Sequence, residues 1–240
     1  MGRWVTFASL PYEPAGAGVA QAAITAGDLR GMSAQLYRVD PGATLQASVP
    51  QGSDAYLFVL TGTGQVAVNG SEKTIAGENF AAVGETHSFS LTNSAAEPAE
   101  IVYVLAPPPG SAREHSGLSE PLTVIPRADA PPAYIADQKK NRRYFVSKEA
   151  VRSERGHAMI VEYEAGTETD MHYHPNAESM FVVLTGRIRF VIDGEPIVLA
   201  RGQAAYFPIN DRHALRCADG TTSASFLEFH IPGAFTTIKV

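Results

Sequence analysis

The chain lacks the features that staple, anchor or strongly charge a protein. It has a single cysteine, Cys217, so no intramolecular disulfide can form and no cysteine-rich zinc site can be built. No run of about 18 apolar residues is present, which excludes a membrane-spanning helix. One early Arg is followed only by Val5–Leu10 before Pro11, too short an apolar stretch for an export signal. These absences together predict a reducing, cytoplasmic compartment. Cationic charge is scarce too. With 19 Lys and Arg against 25 Asp and Glu, the net charge of −6 speaks against nucleic acid as a partner.

What is present is a chain of 240 residues, 45% hydrophobic, long enough to bury a substantial core in one large or two small domains. Its charge is uneven: residues 1–120 carry 5 basic and 11 acidic side chains, residues 121–240 carry 14 of each. That asymmetry hints at two units, and a repeat supports them. FVLTG at Phe58–Gly62 returns as VVLTG at Val182–Gly186, 124 residues later. The same offset carries Asn69-Gly70 onto Asp193-Gly194 and Gly42 onto Gly166; with one residue of slippage, Gly77 meets Gly202 and Ile101 meets Phe226. Markers in one order identify a tandem duplication.

Each copy reads as short runs rich in Val, Ile, Phe, Tyr and Thr, bounded by Gly, Pro or Asn/Asp, the pattern of half-buried strands. Asn-Gly and Asp-Gly between alternating runs signal tight hairpins. The expected fold is all-β, with two tandem antiparallel barrels: residues 1–108, a Pro-rich linker over 109–142, and residues 143–240. Helical periodicity is confined to Ser147–Ser153. The basic cluster Lys139, Lys140, Arg142 and Arg143 reads as a solvated connector.

The histidines carry the chemistry. His172 and His174 stand as HYH, which on a strand puts both rings on one face, and His213 follows 39 residues after His174. Imidazole in its neutral form is the commonest metal ligand among side chains. The surroundings run Gly166-x5-His172-x-His174, Glu178, Gly186, then Gly202-x5-Pro208, Asn210 and His213. This pattern resembles the two motifs of the cupin superfamily, G-x5-H-x-H-x3or4-E-x6-G and G-x5-P-x-G-x2-H-x3-N. Both repeats share the pattern of strands, so the chain looks like a bicupin, two barrels of the double-stranded β-helix or jelly-roll type.

The resemblance implies one divalent metal ion held by His172, His174 and His213. The motif's glutamate falls on Glu178, but counting back from Gly186 reaches Ser179. Strand register turns Ser179 inward and Glu178 away, whereas a bulge would make Glu178 a fourth ligand. Cys217 takes the place of the second motif's Asn and reads as a small buried hydrophobe. Three neutral imidazoles with open positions favour Fe(II), then Zn, Ni or Cu, over Mn. Shells lacking the glutamate are similar to those of the Fe(II) dioxygenases within the cupins, so the leading expectation is a dioxygenase acting on a small organic molecule. Non-oxidative cupins, including ureidoglycine aminohydrolases, and a sensing module without catalysis are the alternatives. In the first repeat Ser48, Pro50 and Asp54 replace the ligands and only His87 remains, so no metal is expected there.

Alternation adds pocket candidates: Ser179, Phe181 and Val183 on one strand face, Tyr206 as a phenolic donor, and Glu228 with His230 on the last strand, as a base or as support for a ligand histidine. A homodimer or higher homo-oligomer is expected, formed through sheet edges or a swapped segment such as Trp4–Ala8.

Overall fold

Asn69-Gly70 and Asp193-Gly194 each close a two-residue hairpin, joining Thr63–Val68 to Ser71–Ala76 and Arg187–Ile192 to Glu195–Ala200. All four turn residues have positive φ (51° and 79°, 53° and 84°), the conformation that this turn demands. The repeated LTG also has a physical cause. Gly62 and Gly186 both have positive φ, and a Cβ on Gly186 would stand 2.5 Å from the Ser223 carbonyl oxygen.

The protein's structure, a computed structural model, describes residues 1–110, 115–220 and 222–240. It is all-β and antiparallel, and it divides into two units. In the N-terminal unit a seven-stranded sheet runs Leu122–Ile125, Phe80–Val83, Asp54–Thr61, Ala99–Ala106, Ser33–Val39, Val19–Ala23, Glu13–Gly16. A four-stranded sheet of Thr44–Ser48, Ser88–Asn93, Thr63–Val68 and Ser71–Ala76 completes it. In the C-terminal unit the seven strands are Arg3–Thr6, Gln203–Phe207, Glu178–Thr185, Ala224–Ile231, His157–Tyr163, Lys140–Val146 and Pro132–Ile135. Its second sheet runs Glu195–Ala200, Arg187–Ile192, His213–Cys217, Glu168–Tyr173, Ile238–Lys239. Apart from Ile238–Lys239, which the N-terminal unit lacks among the described residues, the two units repeat one plan, and each encloses its own apolar core.

The units do not divide at the expected boundaries. Met1–Ser9 belong to the C-terminal unit, where Arg3–Thr6 pairs with Gln203–Phe207 and Phe7 is buried. Arg3–Thr6, part of the segment expected to swap between chains, is the edge strand of that sheet. Leu122–Ile125, from the expected linker, completes the N-terminal sheet, while Pro132–Ile135 and Lys140 onward form strands of the C-terminal one. Proline is tolerated here because it sits on edge strands, where an amide need not donate. Residues 111–114 of that linker lie outside the described residues. Ser147–Ser153 is not helical: Ser147–Ala150 forms a turn, and Val151–Arg155 belongs to the N-terminal unit. Cys217 is buried in the C-terminal core.

In the N-terminal unit, Asp54 (0% exposed) stands where the repeat places Glu178. Its carboxylate accepts from Arg155 Nη1 at 3.0 Å, Ser153 Oγ at 2.6 Å and the Leu118 amide at 3.3 Å. Arg155 also donates to Glu85 at 3.1 Å and to the Ser53 and His115 carbonyls. Burial pushes the Asp54 carboxyl up, against Ser153, the Leu118 amide and Arg155, which pull it down. His87 in the same unit meets the Asn69 amide nitrogen through Nδ1 at 3.0 Å.

Candidate metal centre

Strand alternation brings His172 to the inner face of Glu168–Tyr173, His174 follows in the loop, and His213 opens the strand that pairs with the first. His172 and His213 are directly opposite in the register. Ring centroids lie 5.1 Å (172–174), 4.3 Å (172–213) and 5.4 Å (174–213) apart. One nitrogen from each ring lies within 4.8 Å of the other two. Among the described residues this is the one group of side chains with metal-ligand chemistry so arranged.

Hydrogen bonding fixes which nitrogen faces the centre. Each Nδ1 meets a backbone carbonyl: His172 that of Asp170 at 2.7 Å, His174 that of Thr236 at 2.9 Å, His213 that of Asp211 at 2.9 Å. A carbonyl only accepts, so Nδ1 carries the proton and the Nε2 lone pair is left free. The Nε2 atoms of His174 and His213 are buried without any hydrogen-bond partner. Burial lowers all three pKa values, to about 4 for His174 and about 3 for His213. The three rings are therefore neutral at pH 7, oriented from behind by backbone, and directed at one point by unpaired lone pairs. That donor set fits a divalent metal ion.

Ser179 and Glu178 separate as register dictates. Ser179 is buried beside the site, with Oγ 2.9 Å from His230 Nδ1, while Glu178, also buried, is not in the histidine cluster. Phe181 lines the cavity and Val183 sits deeper, in the barrel core rather than on the cavity wall. Tyr206 corrects the expectation made for it. Ala205 and Phe207 fill the barrel core, so Tyr206 between them is buried on the opposite face and offers no phenol to the cavity.

Glu228 and His230 both face inward, as the polar face of the last strand suggested. His230 Nε2 stands 2.6 Å from Glu228 Oε1, completing a chain Ser179–His230–Glu228 beside His174, whose ring centroid is 4.7 Å from that of His230. Burial would raise the Glu228 carboxyl, but His230, Arg142 and His157 outweigh it and take it down to about 2. Glu228 therefore supports His230, not one of the three clustered histidines.

A cavity of about 470 Å³ opens onto this arrangement. Two of its walls escape sequence reasoning. Phe235, in the segment after Pro232, stacks on His230 with centroids 3.9 Å apart, and the neighbouring Thr236 carbonyl orients His174. Nothing local marks that tail, which is held by Asn176 through bonds to Ala234 and Thr236. The second wall corrects the basic cluster. Lys140–Val146 is a strand, not a solvated connector, and it splits its charges by face. Asn141 and Arg143 turn outward to Glu162, whereas Lys140, Arg142 and Tyr144 turn into the cavity. The period-two spacing of Lys140, Arg142 and Tyr144 was the available signal.

His157, on the cavity wall, has its pKa lowered from 6.5 to about 4, first by burial and then by His230. The unfolded chain takes up this proton below pH 6.5, and the folded one resists it down to about 4. The contribution is thus full above pH 6.5 and lost as pH falls through that window, by up to about 1.4 kcal/mol per pH unit. In urea titrations of metal-free protein, His157→Phe is expected to flatten this slope. Equal slopes would refute the assignment.

Comparison with known proteins gives the same architecture. Residues 159–230 match the cupin domain family. The oxalate decarboxylase of Lactobacillus farciminis, solved as a formate complex, superposes with a TM-score of 0.74 at 12% identity over 99% of this chain and 88% of its own. The putative glyoxylate-induced protein of Pseudomonas aeruginosa gives 0.78 at 14% identity, over 100% and 92%. A cupin 2 conserved barrel protein of Leptotrichia buccalis gives 0.68 at 16%, over 95% and 96%. No curated protein matches the chain by sequence. No helix among the described residues is long and apolar enough to cross a membrane.

Proposed function

We propose, for a chain whose residues 159–230 match the cupin domain family and whose fold is that of tandem cupin barrels, a metal-dependent enzyme working in its C-terminal barrel on a small organic molecule. His172, His174 and His213 would hold one divalent ion through Nε2. The observation that carries this reading is the pair of buried, unpartnered Nε2 atoms on His174 and His213. A buried acceptor without a partner costs stability, and an ion at their convergence offsets that cost.

Fe(II) is the ion we favour, and dioxygenation the reaction. The cluster is all nitrogen, Glu178 is not part of it, and such a shell suits Fe(II) better than the oxygen-preferring Mn. An Fe(II) ion would supply Lewis acidity and redox chemistry with dioxygen. The chain's own part is to keep the three imidazoles neutral, to wall the cavity with Phe181 and Phe235, and to present Glu228 and His230 to a bound molecule. The barrel wall keeps bulk water from the reacting groups.

A non-oxidative reaction is the second reading. It is favoured by the likeness to an oxalate decarboxylase fold and by the Ser179–His230–Glu228 chain, which could accept a proton without an oxidant. Elemental analysis of protein purified without added metal, combined with oxygen uptake on phenolic, diketone and thiol substrates, separates the two. Bound iron with substrate-dependent oxygen consumption is expected. Bound zinc, with no oxygen consumed on any of the three classes, would overturn the dioxygenase.

A further inference from the structure

The buried part of the cavity carries more positive charge than the ion site and its neighbours explain. Lys140 is 5% exposed; its ammonium donates to Thr169 Oγ1 at 2.7 Å and lies 5.1 Å from the centre of the Tyr163 ring, with no carboxylate in salt-bridge range among the described residues. Arg142, two residues on along the same strand face, makes no hydrogen bond or ion pair among the described residues, and its Nε is buried without a partner. A guanidinium held in a cavity with an unsatisfied donor is a costly arrangement unless something else accepts from it.

The acidic groups of the cavity attract the two cations but accept no hydrogen bond from Arg142 among the described residues. Asp137, Glu168 and Asp170 are exposed at its mouth, and Asp170 is paired with Lys239 at 3.0 Å. Glu228, the remaining carboxylate, is bound to His230. With the clustered histidines neutral, Lys140 and Arg142 outnumber Glu228 by one charge. Burial and the adjacent Arg142 charge pull the Lys140 ammonium below its ordinary range, a penalty that an arriving anion relieves.

We propose that Lys140 and Arg142 form an anion-binding subsite, and that the molecule admitted to this cavity carries a carboxylate held there while its other end faces the three histidines. The inference rests on the choice of this cavity as the substrate site, though not on the identity of the ion. A planar guanidinium with free N–H groups matches a carboxylate's two oxygens. In the metal-free cavity the single surplus positive charge is balanced by one carboxylate, so the metal-free arm of the test is where a monoanion and phosphate are told apart. A volume of about 470 Å³ restricts the ligand to a compact acid.

The test uses butyrate, phenylacetate and benzoate, each against its primary amide, titrated into the full-length protein by ligand-observed NMR. Metal-free and Zn(II)-loaded protein are both measured, and Zn(II) per chain is determined separately. At least one acid is expected to bind about tenfold or more tightly than its amide. Arg142→Gln should erase that preference, and Arg142→Lys should restore part of it, with Zn(II) per chain unchanged in both. Acids and amides that bind alike, no acid binding at all, an undiminished preference in Arg142→Gln, or inorganic phosphate binding the metal-free protein more tightly than every acid would each overturn the inference. Acid binding without Zn(II) uptake would leave the subsite standing and remove the metal centre instead.

Discussion

His172→Ala or His213→Ala is expected to leave purified protein with less than about a tenth of the metal that the parent chain retains, and to abolish turnover. Replacing a residue that merely supports a ligand already costs about 10–100-fold in metal affinity, and losing one of three ligands costs more. The two substitutions differ in one informative respect. His172 lines the cavity, while His213 is 1% exposed and stacks on Phe207 with centroids 4.3 Å apart. Its removal also opens a void in the core, so His213→Ala should lower thermal stability more than His172→Ala. Metal content measured by atomic emission on protein with an unchanged far-UV circular dichroism spectrum provides the check. Full occupancy in either variant would mean that the three rings do not share one ion.

Asp54→Ala and Arg155→Ala are each expected to destabilise the N-terminal unit by about 3–5 kcal/mol, because each strands a buried partner charge. Arg155 is 6% exposed, and beyond Asp54 it satisfies two carbonyls and Glu85, so neither side chain can simply turn to water. The double variant should cost much less than the sum, since the second change removes the charge that the first left unpaired. Urea unfolding curves of the four proteins, followed by far-UV circular dichroism, test both statements. Single variants within about 1 kcal/mol of the parent, a surface-like cost, would show that the pair is not buried in solution.

Legibility in the sequence followed period and spacing. The hairpins at Asn69-Gly70 and Asp193-Gly194 and the LTG corners were readable because each demands a backbone conformation that few residues adopt. The convergence of His172 and His213 follows from strand alternation plus one later strand, whereas His174, one residue past its strand, is oriented by the Thr236 carbonyl. Tyr206 failed on the same rule, since it sits one residue from two core-facing neighbours. Unit boundaries failed because edge pairing is long-range: nothing near Arg3–Thr6 announces Gln203–Phe207 as its partner, 200 residues away. Charge density alone does not place Lys140 and Arg142, because their surroundings depend on the strand face that each occupies.

The edge strands have a genetic consequence. Arg3–Thr6, ahead of the first copy in sequence, completes the C-terminal sheet, and Leu122–Ile125, between the copies, completes the N-terminal one. A gene split at the midpoint of the duplication would thus yield one fragment carrying an orphan ribbon and another with the backbone of Gln203–Phe207 laid open to sticky self-association. Cut at that point, the C-terminal copy keeps a sheet with one edge uncovered, which a strand lent by a second molecule would close.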